Sequence, residues 1–447
     1  MRQCAIECGG ARAPGTNYHS AKMRGESVGT NFDSSRLTYG VISPKDWGLE
    51  RAQECALDAW MAVGLDARDW EERARQATYH WLMRSWRDDL GAFSGHYNAI
   101  YHAYEDPQLT NLIAPWQCIA AYDRYGDGTL LSKARRAADW VYENMTETHP
   151  MSVVVGGVRD SWEPDEVWTK FTAELIILNL GLYLRVPDNE LLRRAIESVR
   201  FLVQAERHGH ACKYEHREEQ WVARGWQSFG RIIESYLCLY EVTQDSRWLG
   251  RAVAWSEYAL TLQAPDNGFY LINGEYYSTD IAADELRSLT LVYEITHLPQ
   301  LRTAAERFAD WHLRRQRKDG AWLLTIDRFD NPVSEYVGPG DVPNIAISLL
   351  RLHGVTGESA YLISAFRAMR YALTQQVTPD DDSSYANDED AVWGYWSWDP
   401  PYDYTMSGDQ ITHFARGIWF ILDYLATLDR QESNRIVSML AEAQQAR

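Results

Sequence analysis

From Asp46 onward, apolar residues recur at three and four spacing in stretch after stretch, the pattern of helices with one buried face. The stretches alternate in pairs that share one layout: helix, short turn, helix, long loop. Second helices open on a recurring pair, Trp70 to Ala74, Leu131 to Ala134, Leu192 to Ala195, Leu249 to Ala252, Leu301 to Ala304 and Leu362 to Ala365. Each pair follows a turn such as Gly126-Asp127-Gly128, Pro187-Asp188-Asn189 or Gly357-Glu358-Ser359. The second helices end near Trp86, Met145, Gln204, Gln263, Gln316 and Gln375, a period of about 59 residues with one shorter repeat. Asp89-Leu90-Gly91-Ala92-Phe93, Asp266-Asn267-Gly268-Phe269 and Asp319-Gly320-Ala321-Trp322 then stop the helix on Gly and fold an apolar residue back onto the layer.

A further first helix over about 409 to 427, with a shorter one behind it, adds a seventh pair. The pattern therefore predicts an all-α ring of helical hairpins, an (α/α)6 or (α/α)7 barrel, in which each hairpin buries its apolar face against its neighbours. One domain spans residues 46 to 447. Residues 1 to 45, rich in Gly, Ser, Arg and Asn and without periodicity, are expected to form a flexible arm.

Composition narrows the partners. With 63 acidic against 44 basic residues, the net charge of -19 repels phosphate backbones, and no basic run offsets it, so nucleic acid is excluded as a partner. No window reaches the roughly 18 apolar residues of a membrane span, and the opening residues lack a signal-peptide core. The expectation is a cytoplasmic protein without a membrane partner. Its six scattered cysteines, Cys4, Cys8, Cys55, Cys118, Cys212 and Cys238, are expected to be reduced. No cofactor motif is present. His208, His210, Cys212 and His216 fit no standard zinc spacing, and Asp380-Asp381-Asp382 with Asp388-Glu389-Asp390 lacks the Gly and Glu of a calcium loop, so no metal is expected.

The repeated hairpins, the helix-end Asp-Gly-aromatic turns, and the segments Gly225-Trp226-Gln227-Ser228-Phe229-Gly230-Arg231 and Gly338-Pro339-Gly340-Asp341 resemble the six-hairpin glycosidase superfamily. Within it the chain most resembles the unsaturated-glucuronyl and rhamnogalacturonyl hydrolases and related uronate-acting enzymes. The resemblance covers about residues 46 to 447 and implies an α/α toroid acting on carbohydrate. Lyases, sugar epimerases and terpenoid cyclases share such toroids.

Short turns at one end of the ring place the long loops and the starts of the first helices together at the other, and a site belongs there. Hydrolysis of a glycosidic bond needs one carboxylic acid to protonate the leaving oxygen and a second carboxylate to act on water or on the sugar. Asp284 and Asp341, at or just inside first helices, are the leading acid/base candidates, with Glu166 as substitute; Asp280 reads as a cap as readily as a catalyst. Asp284, one turn inside its helix, is expected either to carry a raised pKa as proton donor or to pair internally with an arginine such as Arg231. Trp116, Gln117, Trp168, Trp226, Gln227, Arg231, His96, Tyr336, Trp396, Asp409 and His413 are the substrate-binding candidates, the indoles as stacking platforms and the guanidinium as a clamp for a uronate carboxylate. The leading expectation is a glycoside hydrolase acting on a short, uronate-containing oligosaccharide. A lyase or epimerase using Tyr97, Tyr336 or His413 as base, and a non-catalytic carbohydrate-binding ring, are the alternatives.

Overall fold

The computed structural model describes residues 65–223, 228–270, 276–428 and 434–439. The 1 to 45 arm, Cys4, Cys8 and Cys55 lie outside the described residues, as do Trp226 and Gln227.

Helix α1 (Ala67–Gln76) opens the described chain and runs on through a π-helical stretch, Ala77–Leu82. Five hairpins follow: α2 (Thr110–Tyr125) with α3 (Gly128–Met145), α4 (Thr169–Arg185) with α5 (Asn189–Arg207), and α6 (Phe229–Thr243) with α7 (Ser246–Leu262). Then come α8 (Thr279–Thr296) with α9 (Pro299–Arg315), α10 (Asp341–Thr356) with α11 (Ser359–Leu373), and finally α12 (Gly408–Ala426).

The even-numbered helices to α12 divide from the odd-numbered ones by burial. The first three turns of α2 and α4 are buried almost all round, whereas α3 and α5 bury one stripe and expose charges on the other. A helix buried on all sides must lie inside. Accordingly α2, α4, α6, α8, α10 and α12 each touch the next, and α12 touches α2, so that six inner helices close a ring among the described residues. The signature residues Trp70, Ala74, Leu131, Ala134, Leu249, Ala252, Leu301, Ala304, Leu362 and Ala365 are the buried stripe of the outer helices. α12 packs on α1, so the sixth hairpin is assembled from opposite ends of the described chain, a pairing that a linear repeat does not display, and a short helical segment over 434–439 follows it with Ile436 buried in the core.

Turn chemistry fixes which end is tight. Four inner helices stop on a left-handed residue, Gly126, Gln244, His297 or Gly357, and five outer helices start on a carboxylate that caps their first N–H groups, Asp66, Asp127, Asp188, Asp245 or Glu358. At the far end of the outer layer, Gln263 donates to the carbonyls of Asn267 and Ala304, and Gln316 to those of Gly320 and Ser364. At these two ends the recurring glutamine ties the helix-end turn to the next outer helix. Trp255, Trp311, Trp322 and Trp419 are fully buried, so part of the aromatic surplus is packing.

The long connections are not structureless. They pair into small antiparallel sheets that stand at the starts of the inner helices: Tyr276–Ser278 with Thr325–Asp327, Thr405–Ser407 with His96–Asn98, and a four-stranded sheet that includes Glu166–Trp168 and Lys213–Glu215. No helix among the described residues is long and apolar enough to cross a membrane.

Candidate functional site

Five inner helices carry polar residues at three or four spacing within their first turns: Lys170 and Glu174, Arg231 and Glu234, Asp280, Asp284 and Arg287, Asp341 and Asn344, and Asp409, His413 and Arg416. That spacing puts each set on one helix face. Closing the ring gathers them into one polar cluster at the long-loop end. Exposure falls with depth: the Asp409 and Asp280 side chains are 35% and 26% exposed, Lys170 13%, and Arg231, Asp284 and Arg287 2% or less.

The deep part is an ion network. Asp284 holds Arg231 Nε at 2.8 Å with one carboxylate oxygen and Arg287 at 2.7 Å with the other. Glu234 takes Arg287 Nε at 2.5 Å and Arg231 at 3.3 Å, and Asn344 Oδ1 accepts from Arg287 at 2.9 Å. Glu174 lies 3.5 Å from Arg231 Nε. Burial works to raise the Asp284 pKa, but the two guanidiniums override it and hold the carboxyl below its ordinary value. The raised pKa expected of a proton donor is therefore not found at Asp284. Its environment is that of the arginine partner. Glu174, lacking a direct hydrogen bond from either guanidinium, is pushed up by burial to about 7, against the pull of Lys170 and Arg231. The network needs the close approach of α6 to α8. Gly230 provides it, since a Cβ there would lie 2.4 Å from the Asp284 carbonyl oxygen.

The shallower part holds the contrast that acid/base chemistry requires. Asp341 is not a cap: Gly340 occupies that position, and the Asp341 carboxyl instead accepts from the Thr279 hydroxyl at 2.6 Å. Gly338 makes room, because a Cβ there would sit 2.5 Å from Asp341 Oδ2. Burial, then the neighbouring charge of Asp280 and that of Asp409, raise the Asp341 pKa well above the carboxylate range. Asp280 is not a cap either, since Ser278 performs that role, and the Asp280 carboxylate receives the Lys170 ammonium at 3.0 and 2.9 Å. Against its burial, the His413 hydrogen bond and charge hold Asp409 at about 2. His413 Nε2 lies 3.2 Å from Asp409, burial keeps the ring pKa below its usual value, and Nδ1 is buried without a hydrogen-bond partner.

Of the residues expected from the sequence, Asp284, Asp341, Arg231, Asp409 and His413 come together here. Others are placed elsewhere. Glu166 and Trp168 alternate onto one face of a strand, where Lys213 of the adjacent strand bonds Glu166 at 2.5 Å and covers the indole at 5.1 Å. Glu166 is thus paired with Lys213 in the sheet and is not one of the inner-helix residues of the cluster. Gln117 donates to Thr78 at 2.9 Å and accepts from Thr412 at 3.1 Å, which consumes it as a spacer between α1, α2 and α12. Trp116 is 1% exposed and packs in the core, with no open face for stacking. His96 pairs with Glu105 at 3.2 Å. Trp396 packs edge-on against Tyr385, whereas Tyr336 meets Tyr402 at a tilt, 4.6 Å between ring centres, with Trp398 5.6 Å beyond. His208 and His210 stack on Trp221 and Tyr258, as packing residues. Lys170, Glu174, Glu234, Arg287 and Asn344 were not singled out from the sequence. Their signal was available in the pairs of polar residues at helical spacing inside apolar helices.

No protein-family model matches the chain, and no curated protein matches its sequence. Solved structures share its fold at low identity. Cellobiose 2-epimerase from Bacillus thermoamylovorans is 12% identical, with a TM-score of 0.65 over 80% of this chain and 98% of that one. An unsaturated glucuronyl hydrolase from Bacillus sp. GL1, responsible for the degradation of glycosaminoglycan, is 13% identical, with a TM-score of 0.57 over 84% and 98%. A polysaccharide lyase is 13% identical, with a TM-score of 0.58 over 82% and 100%. The chain has the α/α-toroid fold of these enzymes, as its resemblance to the six-hairpin superfamily implied.

Proposed function

We propose that this protein is a carbohydrate-processing enzyme whose site is the polar cluster at the long-loop end of the ring, and that its reaction is glycoside hydrolysis. The observation that carries the reading is the divergence of neighbouring carboxyl groups. Burial and the charges around it raise the Asp341 pKa well above its ordinary value, while that of Asp409 is lowered to about 2. Two carboxyl groups tuned apart are what general-acid and general-base roles require at one pH. Asp341 donates the proton to the leaving oxygen. Asp409, or Asp280 beside Lys170, receives one from water. Asp284, between two arginines, acts as the electrostatic base plate of the site and does not transfer a proton. The fold supports the carbohydrate reading, because the epimerase, the hydrolase and the lyase named above all act on sugars.

A second reading, epimerisation, is favoured by one observation: Asp409 orients the His413 ring through Nε2 and burial lowers the ring pKa, which suits an imidazole that takes a proton from carbon. Incubation with a panel of oligosaccharides separates the readings. Hydrolysis releases new reducing ends without ultraviolet absorbance, and epimerisation leaves the reducing-end count unchanged while NMR in deuterated water shows label on a sugar carbon. A lyase product would absorb in the ultraviolet and would overturn both.

A further inference from the structure

The charge lining the cluster bears on which sugar it takes. Recognition of a uronic acid requires an ammonium or guanidinium able to turn its donors to the substrate. Here the donors already end on protein. Lys170 Nζ is shared between both oxygens of Asp280. Arg231 faces Asp284, Glu234 and Glu174, and Arg287 faces Glu234, Asp284 and Asn344. Arg416 stands three residues beyond His413 on α12, about 4.5 Å deeper along the helix axis, and is 1% exposed. The groups nearest solvent are instead the carboxylates Asp409 and Asp280. A uronate arriving there meets like charge first, in a site whose partial burial weakens screening. A hydroxyl-rich sugar meets acceptors. The loops that lead into α10 and α12 add Tyr336 and Tyr402, tilted against each other at 4.6 Å with Tyr402 55% exposed, and an exposed tyrosine ring suits the C–H face of an uncharged sugar.

We infer that the glycosyl unit recognised at this site is uncharged, a neutral sugar and not the uronate that the sequence led one to expect, and that the Lys170–Asp280 pair is what sets this choice. The inference rests on the carbohydrate reading above. Asp280 cancels the Lys170 ammonium in the shallow part of the cluster, so removing its charge hands Lys170 to an anionic substrate.

The test is calorimetric binding at low ionic strength to matched glycosides that differ only at C6: methyl glucoside against methyl glucuronide, methyl mannoside against methyl mannuronide, and methyl galactoside against methyl galacturonide. The protein is expected to bind one neutral member about tenfold or more tightly than its uronate. Asp280→Asn is expected to raise affinity for that uronate by about tenfold, and Asp280→Asn with Lys170→Met to abolish the gain. Equal or tighter binding of the uronates by the unaltered protein overturns the inference while leaving the carbohydrate reading standing. An Asp280→Asn protein with no gain in uronate affinity overturns the role of the pair. Binding of neither class removes the carbohydrate reading, and the inference with it.

Discussion

Replacing Asp284 by Asn tests how the floor of the ring is held together. The carboxylate is 1% exposed and serves two arginines, each 2% exposed, one on each oxygen. Asn keeps the shape and one acceptor, but its amide group then points N–H donors at a guanidinium that has only donors. Glu234 still reaches both arginines, so the loss is that of one shared partner and not of the whole network. Breaking a buried ion pair from one side costs about 3–5 kcal/mol, because the partner is left charged and undersolvated. With unfolding entropy near 2.1 cal/mol/K per residue over the folded ring, that is a fall in Tm of about 4–6 °C. The comparison variant is Asp165→Asn, whose partner Arg217 is 77% exposed and whose loss is expected to shift stability by under about 0.5 kcal/mol. Differential scanning calorimetry on both, with circular dichroism to confirm retained helix, supplies the measurement. The stabilisation from Asp284 belongs to pH values above its unfolded pKa and disappears as pH falls through the depressed folded value, so the two proteins should converge on acidification. An Asp284→Asn protein melting within about 1 °C of the original at neutral pH would refute the claim that this carboxylate neutralises the arginines.

Two further outcomes follow from the same packing. Gly230→Ala drives a methyl group against the backbone of Asp284, 2.4 Å from its carbonyl oxygen, and is expected to destabilise by about 1–3 kcal/mol in chemical denaturation despite the higher helix propensity of Ala; a stabilised variant would show that α6 and α8 are not in that contact. Glu174, with its pKa raised to about 7, favours the folded state below its unfolded value of 4.5 and loses that advantage as pH rises to about 7. Glu174→Gln should therefore gain on the original protein between pH 5 and pH 8, by an amount of order 3 kcal/mol, and a pH-independent difference would contradict the assignment.

The architecture was legible because each hairpin repeats a physical solution. The Trp70, Leu131, Leu249, Leu301 and Leu362 positions mark buried stripes on outer helices, and the turn residues before them are the left-handed stop and the carboxylate cap that the tight end requires. What was not legible is non-local. Nothing in the order of residues shows that α12 folds back onto α1, and the same information decides between six hairpins and seven. The site was legible in part for a similar reason. Polar residues at the starts of inner helices had few readings, and Asp284, Asp341, Arg231, Asp409 and His413 do converge. Asp280 and Asp341 look like caps in a linear reading, yet their partners are Lys170, 110 residues away on α4, and Thr279, 62 residues away on α8. Loop residues misled most. Glu166, Trp168 and His96 sit in long connections at the functional end, but the pairing of those connections into sheets turns their side chains to one another.

The central claim is that Asp341 is the protonated acid of a carbohydrate-processing site, and Asp341→Asn tests it most directly. Burial and the charges of Asp280 and Asp409 raise the carboxyl's pKa, and it accepts from the Thr279 hydroxyl; if it is the protonated acid, Asn replaces it without stranding a charge, and the melting temperature should change by no more than about 2 °C. Turnover of an oligosaccharide identified by release of reducing ends should fall by about 10²–10⁴-fold, the range associated with loss of a general acid, with the affinity for that sugar largely retained. An Asp341→Asn protein that is as stable as the original and cleaves the same sugar at the same rate would contradict the account.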